Sequence, residues 1–189
     1  MTQKGKVSQI RIIEAANHLF YTKGYNQTSV SDVAAETGIT KGNLHYHFRS
    51  KDELLEAVIT HRLGMISENL QQWDQDYPEA KDKLKRFVQM VLSEQAEIVR
   101  YGCPMGSLNV ELGKCQVSLQ AKARAMFDLF QVWLAKAFNQ MGCKNSKALS
   151  RHLLVMAQGA ALMSYVYADA KILKQECKTI ENWIDSLVE

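Results

Sequence analysis

Apolar residues recur three and four positions apart along most of the chain, and only two prolines, Pro78 and Pro104, interrupt its 189 residues. This combination points to α-helices, because residues at i, i+3, i+4 and i+7 share one face of a 3.6-residue helix. Ten glycines complete the turn chemistry, too few for a sandwich or barrel that breaks every ~8–12 residues. Ile12, Ile13, Ala16, Leu19 and Phe20 mark a first helix from Ser8 to Lys23, with Gly24 as its stop. Ser29 and Asp32 have capping-box spacing ahead of a short helix that ends at Gly38, and Thr40 caps another that ends near Phe48. Ser50 and Glu53 open a long amphipathic run carrying Leu55, Ile59, Leu63, Ile66, Leu70 and Trp73, which stops before Pro78. Leu84, Phe87, Val88, Val91, Leu92 and Val99 then form one stripe as far as Gly102-Cys103-Pro104. A short piece at Leu108–Leu112 follows, then helices over 117–141, about 146–168 and about 172–188. The expected fold is all-α, with a three-helix helix-turn-helix domain over 1–50 (reading unit 29–48) and a helical bundle over 51–189.

Charge is unevenly placed. Lys4, Lys6, Arg11, Lys23, Lys41, Arg49 and Lys51 face only Glu14, Asp32 and Glu36 in the first 51 residues, whereas the formal net charge of the whole chain is +3. A basic segment on a near-neutral body fits contact with a polyanion, and equally fits a solvated charged face; charge alone does not decide. No apolar run reaches the ~20 residues of a membrane span, and the polar start predicts no secretory leader. Four cysteines without a C-x-x-C pair read as free thiols in a cytoplasmic protein. Phosphate-loop, dinucleotide and nucleophile-elbow motifs are absent from the sequence. His45 and His47 are two apart on a helix and cannot share a metal, and no Cys/His cluster has zinc spacing. Neither an enzyme, a cofactor nor a metal site is expected.

Residues 29–48 have the form helix, tight turn, helix. Gly38 supplies the left-handed residue that such a turn needs. Val33, Ala34, Ile39, Leu44 and Phe48 are expected to face inward, leaving Thr40, Lys41, Gly42, Asn43, His45, Tyr46 and His47 on an outer face. Hydroxyls, an amide, a lysine and imidazoles suit phosphate oxygens and base edges, and Gly42 permits close backbone approach. Thr28 and Ser29 stand where a helix N-terminus favours a phosphate, and Lys51 can neutralise another.

Gly24-Tyr25, Thr28-Ser29-Val30, Val33-Ala34, Gly38-Ile39-Thr40-Lys41-Gly42, Leu44-His45-Tyr46-His47-Phe48 and Lys51-Asp52-Glu53-Leu54 together resemble the DNA-binding domain of TetR/AcrR-type transcriptional regulators. The resemblance covers about residues 8–55 and departs from the family at His45, where an aromatic such as tyrosine is usual. It implies a homodimer, usually a repressor, whose N-terminal helices read a palindromic operator in double-stranded DNA while the C-terminal domain binds a small effector. By position it assigns Thr28, Ser29, Tyr46, His47 and Lys51 to phosphates. It assigns Lys41, Asn43 and His45 to bases, with Gly42 contributing its backbone. Lys4 and Lys6 are expected in a disordered tail, with a minor-groove or phosphate contact as the alternative. The rival from another class is a non-specific architectural DNA-binding protein, against which the near-neutral amphipathic body argues.

For the C-terminal half the expectations are looser. Ala157, Ala160, Ala161 and Ser164 lie in a run of small residues, and Ile180, Trp183, Ile184 and Leu187 form an apolar stripe; the last two helices resemble the family's dimer interface. Packing of the same residues inside one chain is the alternative. Phe87, Phe127, Phe130, Trp133 and Tyr165 are candidates for an effector pocket, or are plain core. Cys103 precedes a short helix, where amides and the dipole favour a thiolate. Its surroundings are similar to a Gly-Cys stretch in TetR regulators of electrophile and aldehyde stress, which implies a thiol sensor; a structural helix break is the other reading.

Overall fold

The computed structural model describes residues 3–187, and every regular element among them is helical. In order these are α1 (Gln3–Thr22), α2 (Val30–Thr37), α3 (Lys41–His47), α4 (Lys51–Asp76), α5 (Ala80–Ser93), α6 (Gln95–Tyr101), α7 (Pro104–Cys115), α8 (Val117–Gln140), α9 (Ser146–Tyr167) and α10 (Ala170–Asp185). Helix α1 begins at Gln3 rather than Ser8, so Lys6 stands exposed on a helix instead of in a disordered tail. The Lys4 side chain, and the expected end of the last helix at residue 188, lie outside the described residues. The single stripe expected from Leu84 to Val99 is two helices, because the chain breaks at Glu94 between Ser93 and Gln95. The piece expected at Leu108–Leu112 is a twelve-residue helix, which Pro104 opens from its first position, where a missing N–H costs nothing.

Two compact units divide the chain. One joins residues 1–65 to 107–125, and the other joins 66–106 to 126–189. The expected break after residue 50 follows chain order; in space, a later segment returns to complete the N-terminal unit. Ile12, Ala16, Leu19, Phe20, Val33, Leu44, Phe48, Leu54, Leu55 and Val58 are buried in that unit, together with Leu108, Leu112, Leu119 and Ala123 of the returning segment. Each large side chain so withdrawn from water contributes about 1.5–3 kcal/mol before chain entropy is counted.

In the second unit α10 packs on α9 and α5, and α6 packs on α9. Its core includes Leu70, Trp73, Leu84, Phe87, Phe130, Trp133, Leu134, Phe138, Leu153, Leu173 and Ile184. Phe87 meets Phe130 edge to face at 5.5 Å, and Trp73 meets Trp133 at 5.7 Å, the offset that aromatic quadrupoles favour. The guanidinium of Arg86 lies 4.4 Å from the Trp73 ring centroid.

A helix-turn-helix interface

Local chemistry sets the two short helices. The Ser29 hydroxyl accepts the Asp32 N–H at 3.1 Å, and the Asp32 carboxylate accepts the Ser29 N–H at 2.7 Å, a complete capping box. Hydrogen bonds from the Ser29 hydroxyl and backbone hold the Asp32 carboxyl below its ordinary pKa. At the far end Gly38 is left-handed, with φ 67°. Its N–H donates to Ala35 O at 3.2 Å and the Ile39 N–H donates to Ala34 O at 3.1 Å, closing α2 and turning the chain. Thr40 then caps α3 by accepting the Asn43 N–H at 3.2 Å.

Val33, Leu44 and Phe48 turn inward and are closed to solvent. Thr40, Lys41, Gly42, Asn43, His45 and Tyr46 are exposed and His47 is half-buried. Tyr46, at 81% exposure, is the most exposed of the large apolar side chains described. A Cβ at Gly42 would meet nothing within 4 Å, so nothing within the chain requires glycine there, and the bare backbone is left for whatever approaches from outside.

Three residues expected at phosphates have other work. Thr28 is buried at 1% exposure, its hydroxyl pointing to Gly24 O at 2.8 Å and Leu19 O at 3.2 Å. It pins the α1–α2 turn and does not present its side chain to a ligand. Lys51 donates to Tyr25 O at 3.0 Å and Thr28 O at 3.2 Å, and its ammonium lies 4.2 Å from the Tyr25 ring centroid. One of its three protons remains for an anion. Ser29 is exposed, but it shares its cap with the Asp32 carboxylate.

At the N-terminus of α4, the Ser50 hydroxyl accepts the Glu53 N–H at 3.0 Å, while the Glu53 carboxylate takes the N–H of Arg49, one residue earlier than the usual box.

In the other unit the expected residues fall on two sides. Phe87, Phe130 and Trp133 meet in the core and Phe127 is half-buried, whereas Tyr165 is 47% exposed and stands apart from them. Ala157, Ala160, Ala161, Ser164, Ile180 and Ile184 are buried within the single chain, and Trp183 and Leu187 are half-buried against its core. The small size of Ala157, Ala160, Ala161 and Ser164 lets α9 approach α6 and α10 closely within the chain. The face of α9 turned outward carries Val155, Leu162, Met163, Val166 and Tyr167. Sequence reasoning passed over this face because smallness and helical spacing do not say which partner a helix meets.

The Cys103 thiol is half-buried, receiving the Gly106 N–H at 3.4 Å and the Gln158 amide at 3.3 Å. A cavity of 510 Å³ opens between α8 and the start of α9, lined by residues that include Gln131, Val132, Lys136, Lys147 and Ser150. None of the expected effector residues borders it. Among the described residues no group of three His, Cys, Asp or Glu side chains could hold a metal ion, and no helix is long and apolar enough to cross a membrane.

An exposed polar helix, set by a glycine turn against the short helix before it, defines a helix-turn-helix DNA-binding module. Residues 12–58 match the model for bacterial regulatory proteins of the tetR family, and residues 80–178 match the C-terminal domain of LmrA/YxaF-like transcriptional regulators. An uncharacterized HTH-type transcriptional regulator of Lactococcus lactis subsp. lactis is 26% identical over 184 residues, covering 95% of this chain and 94% of its own. The HTH-type transcriptional regulator LmrA of Bacillus subtilis is 29% identical over 168 residues, covering 83% and 86%. The crystal structure of a TetR regulator from Legionella pneumophila superposes with a TM-score of 0.83 at 26% identity, covering 100% and 98%. The chain belongs to the TetR family of DNA-binding transcriptional regulators, with a C-terminal domain of the LmrA/YxaF-like kind.

Proposed function

We propose that this protein is a homodimeric, cytoplasmic repressor that reads a palindromic operator and is released from it by a small effector or by modification of Cys103. The observation that carries the DNA reading is the outer face of α3, where Lys41, Asn43 and His45 stand exposed beside an open Gly42. Lys41 and Asn43 have the donor geometry for guanine and adenine edges, and His45 can donate or accept at a base. Thr40, Tyr46, His47, Ser29 and the remaining Lys51 proton serve the backbone phosphates.

A palindrome needs a two-fold protein. The outward face of α9, with Val155, Leu162, Met163, Val166 and Tyr167, is the surface offered to the second copy. In this reading Phe87, Phe130 and Trp133, packed together in the core, are the aromatic set that an apolar effector would part, and Tyr165 is left to the outer face. For Cys103, a half-buried sulfur that accepts the Gly106 N–H and the Gln158 amide, a covalent adduct would displace both donors.

The test uses duplex DNA from around the protein's own gene, followed by fluorescence anisotropy against random duplex, with and without N-ethylmaleimide. Cys115 is exposed and is replaced by serine throughout. Selective binding that the reagent abolishes, and that Cys103→Ser makes resistant, supports the full reading. Selective binding indifferent to the reagent leaves a repressor that answers only to a ligand. Equal affinity for all duplexes, with a steep salt dependence, favours the architectural alternative.

A further inference from the structure

Glu111 lies on α7, inside the stretch that matches the C-terminal domain and outside the residues that match the DNA-binding domain. Yet its carboxylate holds the DNA-binding head. One oxygen accepts the Tyr25 N–H at 2.9 Å and the other accepts the Asn26 N–H at 2.7 Å. Two consecutive backbone donors on one carboxylate make a charge-assisted, bidentate clasp, which fixes direction as well as distance. Gly24 completes the seat: its φ is +89°, and a Cβ there would come within 3.3 Å of both carboxylate oxygens.

What the clasp holds is the turn from which α2 starts. Tyr25 inserts its ring into the unit and donates its hydroxyl to Asp52 at the beginning of α4, and the Thr28 hydroxyl pins the same turn from inside. Ser29, the α2 cap, follows directly. From the same returning segment, the Gln116 amide donates to Asp52 at 3.3 Å and Lys122 pairs with Glu56 at 2.7 Å. Residues 107–125 thus grip both the turn and the start of α4 within one compact unit.

We infer that Glu111 is a positioning residue for operator binding: it fixes the α1–α2 turn, and through it the orientation of α2 and α3. Hydrogen bonds weaken steeply with distance and angle, so a displacement of α7 by about 1 Å is enough to undo the clasp. Helix α7 also begins one residue after Cys103, whose sulfur accepts the N–H of its first turn.

The inference rests on the proposed operator binding, and its experiment separates the two. Glu111→Gln keeps the shape but puts an amide NH2 where one acceptor stood, and Glu111→Asp keeps the charge but withdraws it by one methylene. Both variants are compared with wild type for operator and random-duplex affinity, well below their melting temperatures, and for hydrogen exchange at the Tyr25 and Asn26 amides. The expected result is a loss of tenfold or more in operator affinity, little change for random duplex, and faster exchange at those two amides with the remaining core amides unaltered. Operator affinity equal to wild type in both folded variants overturns the inference, and so does unchanged exchange at the two amides. If wild type selects no duplex, the repressor reading fails, and the exchange measurement alone decides whether Glu111 holds the turn. Should Glu111→Gln not fold, Glu111→Asp carries the same comparison.

Discussion

The ammonium of Lys83, almost closed to solvent, sits 2.8 Å from the carboxylate of Asp74, and Lys136 approaches the same carboxylate at 3.7 Å from the surface. Burial alone raises the Asp74 pKa, but the hydrogen bond and charge of Lys83 outweigh it and hold the carboxyl below its ordinary value. Removing one partner strands the other: Asp74→Ala is expected to cost about 3–5 kcal/mol, whereas Lys83→Met with Asp74→Asn exchanges the pair for neutral groups at far smaller cost. Because the folded pKa is depressed, this contribution is present above the unfolded carboxylate pKa of about 4 and fades as pH falls through the folded value. Chemical denaturation from pH 7 to pH 3 should therefore show an acid-dependent loss in wild type that is reduced in the double variant.

Tyr25 predicts the opposite pH dependence. Burial first, then the hydrogen bond to Asp52, raises its phenol above the usual value, and the carboxylate of Glu111 and the thiol of Cys115 add to the same effect. A raised folded pKa gives stability that is complete below the unfolded value near 10 and is lost as pH rises toward the folded value. Tyr25→Phe leaves Asp52 with the Gln116 amide alone and is expected to cost about 1–3 kcal/mol at pH 7. The difference between wild type and variant should shrink above pH 10, as followed by thermal melts.

On the reading helix the expected effects fall on DNA rather than on the fold. Lys41→Ala, Asn43→Ala and His45→Ala remove exposed side chains, so melting temperatures should stay within about 1–2 °C. Each should lose roughly 10- to 100-fold in operator affinity, with little change for random duplex, as a lost base contact of about 1–3 kcal/mol requires. Leu44→Ala opens a cavity at a fully buried position and should instead cost about 2–5 kcal/mol of stability.

Helix α9 offers a paired contrast. Leu162→Glu with Val166→Glu places charge on the outward face and should yield a folded monomer by light scattering. Ala160→Leu overfills a position that is 4% exposed inside the chain, so it should cost about 1–3 kcal/mol in stability without that specific loss of the dimer.

Elements whose cause is local were legible in the sequence. Ser29 with Asp32, Gly38 and Thr40 act within a few residues of themselves, so the caps and the turn of the reading head follow from spacing. Elements whose cause is distant were not. Thr28 sits at a helix start like any phosphate ligand, and only the folded turn shows its hydroxyl spent on Gly24 and Leu19. Glu111 resembles any acid on an amphipathic helix, because its partners at Tyr25 and Asn26 lie more than eighty residues earlier. Ala157, Ala160, Ala161 and Ser164 fit a second chain or their own equally well by size, and their burial against α6 and α10 is a tertiary fact that spacing does not carry.

The return of residues 107–125 to the N-terminal unit has a consequence for how the protein is made and re-engineered. During synthesis the first 65 residues leave the ribosome while part of their core is still unmade, and residues 66–106 must be translated before Leu108 and Glu111 arrive, a delay of seconds at roughly 5–20 residues per second. A nascent head therefore waits with Tyr25 and Asn26 unclasped. A chimera that transplants the head by cutting at residue 58 or 65 carries that deficit permanently, so a working graft must take 107–125 along with it.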